Sequence, residues 1–394
     1  MKLPQQPGGE DIKPLLAALD ADQGAIRFVG GCVRDTLLGL PVSDVDLATR
    51  LPPDTVAERL ERAGIRSIPT GIAHGTVTAV LRGKPIEITT LRRDVSTDGR
   101  RATVAFTTDW EEDAARRDFT INAMSADPLT LELFDYFGGQ ADLEARCVRF
   151  IGDPIQRIAE DHLRILRFFR FHARYGAGEP DRDALEACVA RTNDLMALSR
   201  ERIADELLKL LAVPDPAPTV ALMVERTILR PVLPVIDADG VARLTALAAR
   251  EAAFEVAADP LRRLSALLPA DADAAAAVGA RLRLSNKAIK RLVTAAERTL
   301  DGSPRLLAYR IGLEGAVDRL LLAGTEQSLA ADLADLDGWK KPQLGLGGGD
   351  LIAMGVPAGP DVSRILQAIE AEWAASGFPE GAEAVRAIAR RHIS

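Results

Sequence analysis

Aromatic side chains are scarce in this chain: three tryptophans, three tyrosines and eleven phenylalanines make up 4% of 394 residues. That leaves little material for a surface that stacks one base after another. Cysteine is scarcer still. Cys32, Cys147 and Cys188 are odd in number, far apart and without metal-ligand spacing, which excludes a disulfide framework and predicts buried thiols in a reducing, cytoplasmic setting. The four histidines (His74, His162, His172, His392) include no close His-Asp pair, which argues against a metal phosphohydrolase module. No apolar run approaches the roughly 18–20 residues that span a bilayer, and the opening MKLPQQPGGED holds no apolar signal core, so neither a membrane span nor a secretory signal is expected. Positive charge is in deficit too. A net charge of −8 and a pI near 5.3 argue against a protein that coats nucleic acid without specificity.

What is present suffices for burial. Hydrophobic residues make up 47% of the chain, and its length exceeds one typical core, so two or more domains are expected. The stretch that organises them is Phe28 to Thr49, FVGGCVRDTLLGLPVSDVDLAT. It reads as a strand (Ile26 to Val29), a turn at Gly30 and Gly31, a short helix carrying Arg34 and Asp35, and a second strand holding Asp44 and Asp46. Strand residues two apart share a face, so the two carboxylates stand together while Val45 and Leu47 turn to the core. Two such charges repel unless a divalent cation sits between them, and hard oxygen ligands suit Mg²⁺. The glycines allow a phosphate close to the backbone, with Arg34 adding charge. Asp-x-Asp alone is usually a solvated strand end, and Gly-Gly alone is often only a turn; their closeness in one βαβ-like unit points to nucleotide chemistry.

Residues 1–25 read as a polar leader with one helix (Ile12 to Leu19). A helix follows at Pro53 to Ala63, marked by its prolines and Asp54. HGTVTAVLRGKPIEITTLR alternates on both sides of Arg82-Gly83-Lys84 and predicts a hairpin. In its second strand Glu87 lies opposite Ile86 and Ile88, so it joins the acidic pair if this strand neighbours theirs and is otherwise a solvated glutamate. Asp94 to Thr108 reads as a mobile loop carrying Arg100 and Arg101. Trp110 to Arg117 is a helix, followed by RRDFTINAM, and FDYFGG (Phe134 to Gly139) is a strand running into another glycine turn.

From Gly152 onward the texture is helical without strands. Asp153 as N-cap and Pro154 at the first position open one long helix, Ile155 to Tyr175. Glu160, Asp161 and Arg164 then share a turn, where a carboxylate beside a guanidinium is either a surface ion pair or a match for a base's Watson–Crick edge. Arginines recur from Arg146 to Arg174 as a basic belt in an acidic chain. Ser199 to Leu211 opens on a capping-box-like serine. The remainder is Ala/Leu-rich helix, and the glycine-rich Gly345 to Leu366 lacks the Lys-Ser/Thr of a P-loop, so it reads as helix connections.

Taken in order, GGCVRD, Asp44/Asp46, HGTV, RRDFTINAM and EDHLRILRFFRF resemble the class II nucleotidyltransferases that add CCA to tRNA 3′ ends and their bacterial poly(A) polymerase relatives. The motifs span about residues 26–211, half of the chain. The resemblance implies an α+β fold: a polymerase beta-like nucleotidyltransferase head with a mixed sheet (26–150), a helical neck that selects the nucleotide (151–213) and an all-α body and tail that binds tRNA (214–394). It implies that Gly31 and Arg34 contact the triphosphate, that Asp44 and Asp46 hold two Mg²⁺ ions for a two-metal phosphoryl transfer with Glu87 as a supporting carboxylate, and that Arg117 and Asp118 hold the incoming CTP or ATP. Base reading falls to Asp161 and Arg164, with Arg167 and Arg170 along the same basic wall. Three-residue steps drift about 60° around a helix, so Arg170 is a phosphate contact or a neck-packing residue.

Poly(A) polymerases typically carry a Gly-Arg-Arg-Phe-like segment where this chain has Ile68 to Val77, and often a basic tail, so the resemblance favours tRNA. Asp98-Gly99-Arg100-Arg101 argues against a CC-only enzyme, and an A-adding enzyme stays open. A dinucleotide-binding oxidoreductase would need a third glycine and a distal ribose-binding acid. A silent RNA-binding module would have no use for two repelling carboxylates.

Overall fold

The computed structural model describes residues 2–71, 75–98 and 101–393, and the chain divides into two compact units, Met1–Val213 with Leu222–Val232, and Pro214–Ala221 with Leu233–Ser394.

The first unit is built on strands β1 (Ile26–Val29), β2 (Asp46–Thr49), β3 (Arg66–Gly71), β4 (Thr76–Leu81), β5 (Lys84–Thr90), β6 (Arg92–Asp98), β7 (Arg101–Phe106), β8 (Ser125–Ala126) and β9 (Leu133–Phe134). Among the described residues they form a seven-stranded mixed sheet, ordered β3-β4-β5-β2-β1-β8-β9, and a separate β6-β7 pair. Strand β2 runs antiparallel to β1 and parallel to β5. The expected hairpin is β4–β5, paired from Thr76↔Thr89 to Leu81↔Lys84. Burial in β5 alternates as the sequence requires, Ile86, Ile88 and Thr90 inward and Glu87 outward.

Around the sheet lie α1 (Lys13–Ala18), α2 (Gly31–Leu37), α3 (Pro53–Arg62), α4 (Trp110–Ala115), α5 (Gly139–Glu144), α6 (Pro154–Glu160), α7 (Arg164–Tyr175), α8 (Arg182–Ala190) and α9 (Arg200–Leu211). Their starts are written locally. Asp109 accepts the Glu111 amide at 2.8 Å, and Asp153 accepts that of Gln156 at 2.8 Å with Pro154 just inside; both satisfy amides that have no partner within the helix.

The structure corrects several expectations. The second strand begins at Asp46, so Asp44 stands outside it in an exposed loop. The leader is not simply polar: Leu3, Ile12, Leu15, Leu16 and Leu19 are buried. Strand β3 is an element the sequence did not announce. The region expected as a loop from Asp94 forms the antiparallel β6–β7 pair, from Arg92↔Phe106 to Asp98↔Arg101, because pairing satisfies backbone groups that a loop would leave to water. The expected long helix is two, α6 and α7. Asp161 is extended (φ −151°, ψ 105°) and its Oδ1 accepts the Leu163 amide at 3.1 Å, while His162 Nδ1 donates to Ile158 O at 3.0 Å; such local side-chain bonds compete with the helical ladder. Ser199 precedes α9 without a side-chain capping bond. Cys32 and Cys188 are buried, but Cys147 is partly exposed.

Helix α10 (Ala217–Glu225) has its first residues in the second unit and its last in the first; the rest of the second unit is helical: α11 (Ala238–Ala253), α12 (Pro260–Leu267), α13 (Ala272–Arg281), α14 (Asn286–Ala296), α15 (Pro304–Ile311), α16 (Leu313–Ala323), α17 (Glu326–Leu336), α18 (Gly348–Ala353), α19 (Pro360–Ala375) and α20 (Ala382–Ile393). Asp237, Asp259, Asp271, Ser285 and Ser303 each cap the helix that follows. A buried ion network ties four helices: Arg262 donates to Glu251 at 2.7 Å and to Asp318 at 2.8 Å, Arg263 to Glu251 at 2.8 Å, and Arg291 to Asp318 at 2.6 Å. Toward the end of the chain, Trp373 and Phe378 centre an apolar cluster with Ile369, Val385 and Ile388. No helix among the described residues is long and apolar enough to cross a membrane.

Candidate active site

The first unit gathers the acidic residues through sheet register. Parallel pairing sets Asp46 opposite Glu87, and antiparallel pairing sets Thr78 on the other side of Glu87, so both carboxylates stand on one face of the sheet. Asp44 lies two residues before β2 and accepts a hydrogen bond from Ser43 Oγ at 2.8 Å. Burial raises the pKa of the Asp46 carboxyl above the usual carboxylate range, repulsion from Glu87 and Asp44 adds to this, and the nearby Arg117 guanidinium partly offsets it. Cys32, on α2, points its thiol at the Val29 and Asp46 carbonyls, and burial pushes it up to about 11, so it stays a neutral packing group.

These donors fit a hard divalent cation. They are oxygen ligands whose mutual repulsion a cation would relieve. Among the described residues no cluster of three or more His, Cys, Asp or Glu forms a ready metal cage.

Gly30 opens the turn into α2 with φ 67°. The positive φ favours glycine there, and a Cβ would sit 2.9 Å from Arg117 Nη1 and displace that guanidinium. Arg117 is held by the Asn122 carbonyl (3.5 Å) and by Asp113 (3.4 Å), which Arg116 also grips at 2.9 Å. Burial works against ionising Asp113, but the two guanidiniums outweigh it and hold its pKa low.

Asp118 is buried. Its Oδ1 accepts from the Phe119 amide (2.8 Å) and Asn122 Nδ2 (2.9 Å), and its Oδ2 from Arg167 Nε (2.8 Å) and Nη2 (2.5 Å). Desolvation pushes its pKa up, and these partners, Arg167 foremost, bring it below the ordinary range. Arg164 donates to Glu160 at 2.5 Å and to the Arg157 and Arg116 carbonyls at 2.8 and 3.2 Å. Asp161 does not pair with Arg164. Both its oxygens accept from Arg202 Nη2 on α9, at 3.1 and 2.8 Å, and about a third of each side chain is exposed. Arg170 donates to the buried Glu206 of α9 at 2.6 Å, a neck-packing contact.

Arg34 differs from expectation in its surroundings. It is 6% exposed, and each of its three guanidinium nitrogens donates to protein: Nε to Asp35 (2.9 Å), Nη1 to Asn122 Oδ1, and Nη2 to Tyr175 Oη (2.6 Å). Gly31 begins α2 beside it. His74, Gly99 and Arg100 lie outside the described residues. In space His162 Nδ1 does come within 3.6 Å of an aspartate, Asp194, but that carboxylate also takes Arg191 at 2.6 Å.

The sequence did not single out Asp113, Asn122, Tyr175, Arg202 or Glu206. Asn122 stands inside RRDFTINAM, where it could have been found. Asp113 lies three and four positions before Arg116 and Arg117, a helical spacing that could also have been found, whereas the partners of Tyr175, Arg202 and Glu206 lie at long sequence separation, which no local pattern announces.

Residues 26–149 match the family model described as poly A polymerase head domain, and residues 179–239 match one described as a probable RNA and SrmB-binding site of polymerase A. The chain is 35% identical to the mouse mitochondrial CCA tRNA nucleotidyltransferase 1, over 94% of this chain and 87% of that protein. It is 34% identical to the CCA-adding enzyme of Lacticaseibacillus paracasei, over 95% and 94% respectively. The solved Bacillus stearothermophilus CCA-adding enzyme in complex with CTP superposes with a TM-score of 0.78 at 28% identity, covering 97% of this chain and 98% of that one. With relatives so alike over nearly their whole length, the chain belongs to the tRNA nucleotidyltransferase and poly(A) polymerase family.

Proposed function

We propose that this protein adds CCA to the 3′ end of tRNA without a nucleic-acid template, taking CTP and ATP and releasing pyrophosphate. The observation that carries this is the register of β2 and β5, which stands Asp46 beside Glu87 next to the glycine turn and Arg117. Members of the family use a divalent metal, and the hard, partly assembled oxygen set here suits Mg²⁺. Asp44 and Asp46 would hold two such ions, with Glu87 in support; when bound, one would make the tRNA 3′-hydroxyl more acidic and the other would neutralise charge on the leaving pyrophosphate. The 3′ oxygen forms a bond to the α-phosphorus as the bond to pyrophosphate breaks, and the hydroxyl proton goes to solvent.

The chain's own residues position the reactants. The Gly30-Gly31 turn admits the triphosphate close to backbone, Arg117 supplies positive charge beside Asp46, and Asp118 with Arg167 fixes the wall along which the nucleotide lies. Asp161 is an acceptor, and cytosine N4 and adenine N6 are donors where uracil and guanine carry acceptors; with Arg164 it reads the base. Residues 1–25 brace the head (26–150), the neck (151–213) selects the nucleotide, and the helices from 214 to 394 hold tRNA. The free thiols suit a cytoplasmic setting.

The test is incubation with a tRNA lacking its 3′ end, CTP, ATP and Mg²⁺, with product length read on a gel. Three added nucleotides are expected, and none with Asp46→Asn. A single added adenosine or a long adenosine ladder would replace this assignment with the A-adding or poly(A) activity, and near-normal turnover of Asp46→Asn would overturn the metal site.

A further inference from the structure

A closed ring of polar contacts joins α2 to α7 inside the first unit. From Arg167 on α7 it runs to Asp118, then to Asn122, then to Arg34 on α2, and back to Tyr175 at the last turn of α7. Tyr175 closes it. Its hydroxyl accepts from Arg34 Nη2 at 2.6 Å and donates to Asp35 Oδ1 at 3.1 Å, while the Arg34 guanidinium lies 4.0 Å from its ring centroid. Tyr175 is 6% exposed and packs against Phe171, ring centroids 5.7 Å apart.

The two attachments on α7, at residues 167 and 175, are eight residues apart, about 12 Å along the axis at 1.5 Å per residue. Two anchors so separated fix the angle of one helix against another, where a single one would leave a pivot. Helix α7 begins at Arg164, three residues after Asp161, and the amino end of α2 follows the Gly30 turn. In an aromatic-poor chain one of only three tyrosines is spent at this junction, and Arg34, whose sequence position suggested a phosphate contact, has its donors turned inward to it.

We propose that Tyr175 is a positioning residue for nucleotide binding: through Arg34 and Asp35 it sets the triphosphate-binding turn at the correct distance from the base-reading residues at the start of α7. This rests on the nucleotide-binding role proposed above. Phosphate grip and base reading then act on one rigid span, so a nucleotide gains both contacts only when its length matches.

Tyr175→Phe removes the hydroxyl and keeps the ring, its packing on Phe171 and the cation–π contact. It is expected to raise KM for CTP and ATP by a common factor of about five to tenfold, since the triphosphate is shared, with kcat within about twofold of wild type. Hydrogen exchange of the amides of residues 31–37 is expected to quicken in the same variant. Asp35→Asn, which leaves Tyr175 in place and weakens the ring from its other side, should shift KM in the same direction. A Tyr175→Phe enzyme with a lowered melting temperature but unchanged KM values would make the tyrosine merely structural and overturn the proposal, as would a loss confined to kcat. A wild-type protein that fails to extend tRNA would instead remove the function on which the proposal rests.

Discussion

At the scale of single residues, Asp46 pays for its role in stability. Burial and the Glu87 and Asp44 charges hold its pKa above that of an unfolded-chain aspartate, which is near 4. A carboxyl raised in this way favours folding when protonated; the benefit is complete below the unfolded pKa and is lost as pH rises through the folded one. In metal-free protein at neutral pH, Asp46→Asn should therefore unfold later than wild type in urea, by about 1 kcal/mol. The gap should close as pH falls toward 4, and added Mg²⁺ should stabilise wild type but not the variant. Equal midpoints at pH 7 would contradict this balance of charge. The face shared by Asp46 and Glu87 follows the strand alternation the sequence shows, whereas Asp44, expected on the same strand, lies before it in an exposed loop. Arg202 was not, since nothing near Asp161 in the chain records a partner 41 positions away.

At the scale of elements, strands with clean alternation and helices with capping aspartates could be placed from the sequence. The division between α6 and α7 could not, because the helical pattern runs on from Pro154 to Tyr175 and the break is made by side chains bonding nearby backbone, Asp161 with the Leu163 amide and His162 with the Ile158 carbonyl. The β6–β7 pair was hidden by polar, turn-rich composition. Helix α9 is held to α7 by one buried carboxylate: Glu206, 3% exposed, takes Arg170 at 2.6 Å and Arg167 at 3.6 Å. Glu206→Ala takes from Arg170 its 2.6 Å carboxylate and leaves Arg167 with Asp118 alone, and breaking a buried pair from one side costs about 3–5 kcal/mol. A lower urea midpoint is expected together with weaker nucleotide selection, since Arg167 also holds Asp118. A change of less than about 1 kcal/mol would show that solvent replaces the carboxylate without penalty.

At the scale of the whole molecule, the two units are consolidated differently. The first is organised by a sheet, whereas the second combines small apolar clusters with the buried Arg262, Arg263, Arg291, Glu251 and Asp318 network. Its all-helical character was plain from composition, but the network was not, because its charges read as ordinary surface positions on amphipathic helices. Asp318→Ala should destabilise this unit by about 3–5 kcal/mol. Trp339 and Trp373 report on it and Trp110 on the first unit, so single-tryptophan variants followed through urea unfolding would separate the responses. A shift seen by Trp110 alone would refute the assignment.

The pairing of Leu47 with Ile88, one step inward from Asp46 and Glu87, has its own consequence. Both are 1% exposed, and sliding either strand by one place would expose them while turning the carboxylates away from each other. The alignment of the chemistry is thus calibrated by grease: drift in an aliphatic residue that touches no substrate would detune the enzyme as surely as losing an acid, so the site's tolerance to mutation is set a layer beneath it.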